Sequence, residues 1–156
     1  MTRDEISAAA NSLYAAERTG KQRGLLSATY PEATLDDAYA VQNALIARKC
    51  AAGRRVIGWK IGLTSRAMQD QLGITTPDSG VLLDDMAFAD GATIPENRFI
   101  APRIEAEIAF VMKAPLVGQI TREDVIAATD HVTPALEILD TRIVRAEAGK
   151  TRTIID

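Results

Sequence analysis

Three glutamates set in two apolar runs carry the strongest chemical signal in this sequence. The first run is Arg103-Ile-Glu105-Ala-Glu107-Ile-Ala-Phe-Val-Met112. As a β-strand it sends alternate side chains to opposite faces. Ile104, Ala106, Ile108 and Phe110 then share one face, and Glu105, Glu107, Ala109 and Val111 share the other. Two strand residues separate the acids by about 7 Å. Carboxylates leaning inward beside apolar neighbours repel each other and lose hydration, and a cation between them relieves both costs. The second run, Pro134-Ala-Leu-Glu137-Ile-Leu-Asp140, places Glu137 among Leu136, Ile138 and Leu139, where a bare carboxylate calls for a partner. An all-oxygen ligand set suits Mg²⁺, with Mn²⁺ as the alternative. The same pattern also describes half-exposed strands whose glutamates face water, and spacing alone does not choose between the two.

A second constellation lies in Val56-Ile-Gly58-Trp-Lys60-Ile-Gly62. In a strand, Gly58, Lys60 and Gly62 share a face while Ile57, Trp59 and Ile61 pack the other. The flanking glycines clear space on the lysine's side. A lysine held there can pair with a substrate carboxylate; it equally fits a solvent-facing edge strand. Thr76-Pro-Asp78-Ser-Gly80 reads as a turn. Asp78 is then either a turn cap or a catalytic carboxylate on a loop. Asp84-Asp85 reads as a strand-end turn with solvated charges, His131 as a surface or packing residue, and Cys50 as structural.

These residues need elements to hold them. An alanine-rich helix is expected from about residue 3 to 18, followed by a loop around Gly20, Gly24 and Pro31. Thr34 and Asp37 have capping-box spacing, and Ala38, Val41, Leu45 and Ile46 keep helical period up to Gly53. A strand over 56–61 and a short helix over 65–72 come next. From Pro77 onward, short β-like runs alternate with turns, Asp90-Gly91 among them. Thr121 caps a helix with Glu123 and Asp124 in its first turn, and Pro134 is expected to end it. Residues 135–140 form another strand, and 151–155 start a further one.

The bulk composition narrows the class. The chain has 156 residues, 47% of them apolar and 25% charged, which suits one globular domain. Lysines and arginines are scattered, the net charge is -3 and aromatics are 4%, so no nucleic-acid partner is indicated. No apolar stretch approaches the roughly 20 residues of a membrane span. The N-terminus lacks a signal peptide's apolar block, and a cytoplasmic location is expected by default. A single Cys and a single His leave neither an internal disulfide framework nor a zinc site of several Cys and His ligands. There is no Walker A loop and no G-x-G-x-x-G.

Several long motifs, in order, resemble one family. They are Lys60-Ile-Gly-Leu-Thr-Ser65, Pro77-Asp78-Ser-Gly-Val-Leu-Leu-Asp-Asp-Met86, the stretch from Ile94 to Phe110, and Pro134 to Asp140. Together they resemble the hydratases and decarboxylases of aromatic meta-cleavage pathways, in the fumarylacetoacetate hydrolase-like superfamily. The resemblance implies an α+β fold, with an N-terminal helical and strand segment over residues 1–78. Residues 79–156 would be the first part of a mixed β-roll that is cut short, because the family's domain continues well past Asp156. It implies a Mg²⁺ site made by Glu105, Glu107 and Glu137, with Lys60 and Asp78 facing a small oxo-acid substrate. The implied reaction is hydration of a 2-oxohept-3-ene-1,7-dioate in 4-hydroxyphenylacetate degradation. Hydration of 2-oxopent-4-enoate, 4-oxalocrotonate-type decarboxylation, and an inactive fragment or non-catalytic partner subunit are the alternatives. A full-length member would be a homo-oligomer.

Overall fold

The computed structural model describes residues 1–156, the side chain of Leu72 excepted. It divides into two compact units, one of residues 1–100 with 142–156 and one of residues 101–141. The fold is mixed α and β.

In the first unit, helix α1 (Arg3–Thr19) and helix α3 (Leu35–Ala51) make the core. Thr2 and Thr34 cap them, each accepting from the amide three residues on, while Glu5 and Asp37 bond back to the capping residue's own amide. Ala9, Ala10, Val41 and Leu45 are buried between the helices, with Ile6, Leu13, Tyr14, Leu26 and Tyr30 around them. Small alanines let two backbones approach closely, so the chain's alanine-rich start has a packing reason. The Met1 ammonium lies 2.7 Å from Asp37. That contact, with the bonds from Thr34, lowers the Asp37 carboxyl to about 2. Lys49 is buried and donates to Glu17 at 2.7 Å, with Arg142 3.0 Å from the same carboxylate. Burial alone would raise the Glu17 pKa, but Lys49 and Arg142 overcome it and hold it below the ordinary value.

The expected loop at residues 20–31 contains a one-turn helix, α2 (Leu26–Thr29). Leu25 before it is fully buried. Strand β1 (Val56–Gly62), helix α4 (Arg66–Leu72) and strand β2 (Asp78–Leu83) follow, and β2 pairs antiparallel with β1. That pairing joins residues on both sides of the expected division at 78. Asp78 itself opens a strand, which corrects its expected placement in a turn. The bend lies at residues 75–76, and Pro77, with its fixed φ and no N–H, sits where a strand can begin. Ile57, Trp59 and Ile61 do not pack as expected: they are 53%, 66% and 55% exposed, and the lysine's face is the half-buried one.

The second unit is a hairpin-like pair, β3 (Arg103–Met112) and β4 (Thr129–Leu139), joined through helix α5 (Arg122–Ala128). Thr121 and Asp124 form the capping box of α5. Pro134 does not end that helix. It lies inside β4, opposite Ile108, where a proline is tolerated because a two-stranded sheet has only edge strands. The tail's expected strand over 151–155 reduces to Lys150–Thr151 (β6), paired with Ala146–Glu147 (β5) in the first unit. Beyond Thr151 the chain turns, as Asp156 accepts from the Thr153 amide and hydroxyl. No helix among the described residues is long and apolar enough to cross a membrane.

Candidate functional site

The register of β3 on β4 assembles the three glutamates. Glu105 stands opposite Glu137, and Glu107 opposite Ala135. Directly opposed residues on one face lie close enough for side-chain contact. Carboxylate oxygens of Glu105, Glu107 and Glu137 come within 4.8 Å of one another. A divalent cation with oxygens at about 2.1–2.5 Å cannot hold any two of them more than about 4–5 Å apart. The cluster therefore fits a hard cation with only small side-chain adjustment. Glu105 and Glu107 are exposed and Glu137 half-buried, so the acids do not lean into an apolar interior as the alternation implied. Charge repulsion among three close carboxylates favours a cation here; loss of hydration contributes little. The opposite face of this sheet is wholly apolar: Ile104, Ala106, Ile108 and Phe110 face Ile138, Leu136, Pro134 and Val132.

Lys60 and Asp78 meet in the first unit. Lys60 pairs with Gly80 and Gly62 with Asp78, so the two charged side chains are diagonal neighbours on one face. Lys60 Nζ lies 3.6 Å from Asp78 Oδ1. The glycines make this possible. A β-carbon at Gly62 would overlap Asp78 Oδ1 and sit 2.7 Å from Lys60 Nζ, and one at Gly80 would sit 3.2 Å from the lysine stem. The space beside the lysine is thus filled by the ion pair itself. Asp78 is about a third exposed as a side chain, yet its Oδ1 is buried and makes no hydrogen bond. A cation beside a carboxylate, both partly exposed, suits charge recognition and proton transfer.

The remaining candidates lie outside both clusters. Asp84 and Asp85 form a 3-10 turn: Asp84 pairs with Arg55 and bonds its amide, and Asp85 lies near Lys49 and Arg54. His131 is exposed and bonds Asp130, and Cys50 is exposed near the end of α3. Two groups that sequence periodicity gave no sign of, Tyr39 and Gln42 of α3, hold the backbone of Ser79 beside Asp78.

The chain is similar to proteins of known activity along nearly all of its length. It is 49% identical to 2-oxo-hept-4-ene-1,7-dioate hydratase of Escherichia coli over 94% of this chain and 56% of that protein. It is 47% identical to 2-keto-4-pentenoate hydratase of Paraburkholderia xenovorans over the whole chain and 58% of the relative. Among solved structures, 4-oxalocrotonate decarboxylase from Pseudomonas putida G7, complexed with magnesium and adipate, superposes with a TM-score of 0.85 at 41% identity, over 92% of this chain and 55% of that one. The calcium and acetate complex of the same decarboxylase gives 0.86. Over the part they share, this chain is similar to the hydratases and decarboxylases that these relatives represent. No protein-family model matches it. The chain spans just over half the length of the relatives it matches.

Proposed function

We propose that this protein is the metal-bearing part of a Mg²⁺-dependent hydratase that adds water to a 2-hydroxydienoate. A 2-oxohept-3-ene-1,7-dioate formed in aromatic catabolism, as in 4-hydroxyphenylacetate degradation, is the leading substrate. The observation that carries the reading is the oxygen cluster of Glu105, Glu107 and Glu137 in a chain 49% identical to a heptenedioate hydratase. Those three residues would hold Mg²⁺, with Mn²⁺ as a substitute. A bound cation supplies Lewis-acid polarisation of a 2-oxo acid. Lys60 pairs with substrate charge, and Asp78 accepts or returns a proton as it shifts along the conjugated chain. Water then adds to the electrophilic carbon, with hydroxyl and proton entering together and no change of oxidation state. We place the protein in the cytoplasm, with a full-length member forming a homo-oligomer.

The test is turnover of the dienoate by this chain with Mg²⁺, followed as loss of conjugated absorbance, beside Glu107→Gln and Lys60→Met. Hydration that disappears in Glu107→Gln supports the reading. Release of CO₂ in place of water uptake points to the decarboxylase, which the likeness to 4-oxalocrotonate decarboxylase favours as the second reading. Mg²⁺ binding without any turnover points to a non-catalytic partner or part, in keeping with a chain that spans 56% of its relative.

A further inference from the structure

We infer that Tyr39 and Gln42 are positioning residues that set the Lys60–Asp78 pair through the backbone of Ser79. The inference rests on the reading above, in which that pair meets the substrate. Tyr39 and Gln42 stand three residues apart on α3, and so on one face of the helix. Both are half-buried. The Ser79 amide donates to Tyr39 Oη at 3.1 Å, and Gln42 Nε2 donates to the Ser79 carbonyl at 3.1 Å. Both peptide groups of one strand residue are thereby engaged by side chains from a helix 37 and 40 residues earlier.

Ser79 is the residue between Asp78 and Gly80. Alternation puts those two neighbours on the lysine's face and Ser79 on the other. Fixing the Ser79 peptides therefore fixes where the Asp78 carboxylate leaves the strand and how closely Gly80 approaches the Lys60 stem. The start of β2 needs such a hold. Pro77 before it offers no N–H, and β2 pairs with β1 alone, so one edge of the strand stays unpaired by any other strand. The tolerance is narrow: the pair stands at 3.6 Å, with the Gly62 and Gly80 spaces already taken up. A displacement of about 1 Å would either collapse it to a direct hydrogen bond or separate it.

The experiment is lysine acylation of the intact chain with acetic anhydride, read peptide by peptide by mass spectrometry. The variants are Asp78→Asn, Tyr39→Phe with Gln42→Leu, and the Tyr39→Phe single change that removes only the hydroxyl. Lys49, buried against Glu17 in the same unit, reports whether the helical core has loosened. In the double variant the Lys60 rate should change about fivefold, in the same direction as in Asp78→Asn, the scale of one lost hydrogen bond. Lys49 should stay protected, and Tyr39→Phe alone should give a smaller change of the same sign. A Lys60 rate that follows Asp78→Asn but ignores the double variant overturns the inference. So does a joint rise of Lys49 and Lys60, which marks Tyr39 and Gln42 as merely structural. The reading beneath it fails separately, in the turnover assay, where Tyr39 and Gln42 are untouched.

Discussion

The α1–α3 pair and the β3–β4 sheet treat their apolar residues in opposite ways. The helices bury theirs, with Ala9, Ala10 and Val41 each 2% exposed. The sheet turns Ile104, Ile108, Phe110 and Leu136 outward, each at least 60% exposed, and carries its three glutamates on the other face. One region buries its own apolar surface, whereas the other leaves its apolar face exposed and gathers three carboxylates on the opposite face. A two-stranded sheet is marginal on its own in water, so ligand binding has more to add there.

Cutting into each region in turn should expose the contrast. Leu45→Ala removes a core side chain and should cost about 2–4 kcal/mol in urea unfolding of the helical unit, whereas Ile108→Ser, at an exposed site, should stay within about 0.5 kcal/mol. Equal losses would mean that the sheet's apolar face is covered in solution. Adding Mg²⁺ at about 100 times its Kd should slow amide exchange in β3 and β4 by up to about 100-fold and leave α1 and α3 unchanged. Glu107→Gln should abolish that protection; protection that survives in the variant would remove Glu107 from the ligand set. The smallest effect is acid. Glu17 and Asp37 have folded pKa values below their ordinary ones, so their stabilisation is complete above about 4.5 and is lost as pH falls through the folded values, about 2 for Asp37. The helical unit should weaken progressively below about pH 4.5, and Glu17→Gln should flatten that slope when followed by circular dichroism. A slope unchanged by Glu17→Gln would show that the Lys49 pair contributes nothing to it.

Much of this was legible in the sequence where the signal is local. The capping box at Thr34, the cap at Thr121, the strand over 103–112 and the shared face of Gly58, Lys60 and Gly62 all follow from spacing within a few residues. Pro134 misled, because proline's helix-breaking role is general while its tolerance in an edge strand depends on a pairing that the sequence does not display. Alternation separated the two faces of β1 and β3 correctly, but a period of two says nothing about which face is covered, so Trp59 was expected to pack and Glu105 and Glu107 to lean inward, whereas all three are exposed. The meeting of Glu137 with Glu105 depends on how the segment between β3 and β4 sets the register, a non-local fact. Tyr39 and Gln42 were invisible for the same reason, since their partner lies about 40 residues away.

The two-faced character of β3 makes this region far more sensitive to insertions and deletions than to substitutions. A substitution at Ala106 or Ala109 changes one side chain. One residue added between Glu105 and Glu107 would carry one of those carboxylates over to the side of Ile104 and Phe110, because consecutive positions alternate. Two added residues would restore the side but lengthen the spacing along the strand from about 7 Å to about 13 Å, beyond the reach of a single ion. The only irregularity in this ladder falls at Val111/Met112, past the last acid. Length variation among natural relatives should therefore gather in the connection between Met112 and Thr129, and the interval from Glu105 to Glu107 should keep its length even where every residue around it has drifted.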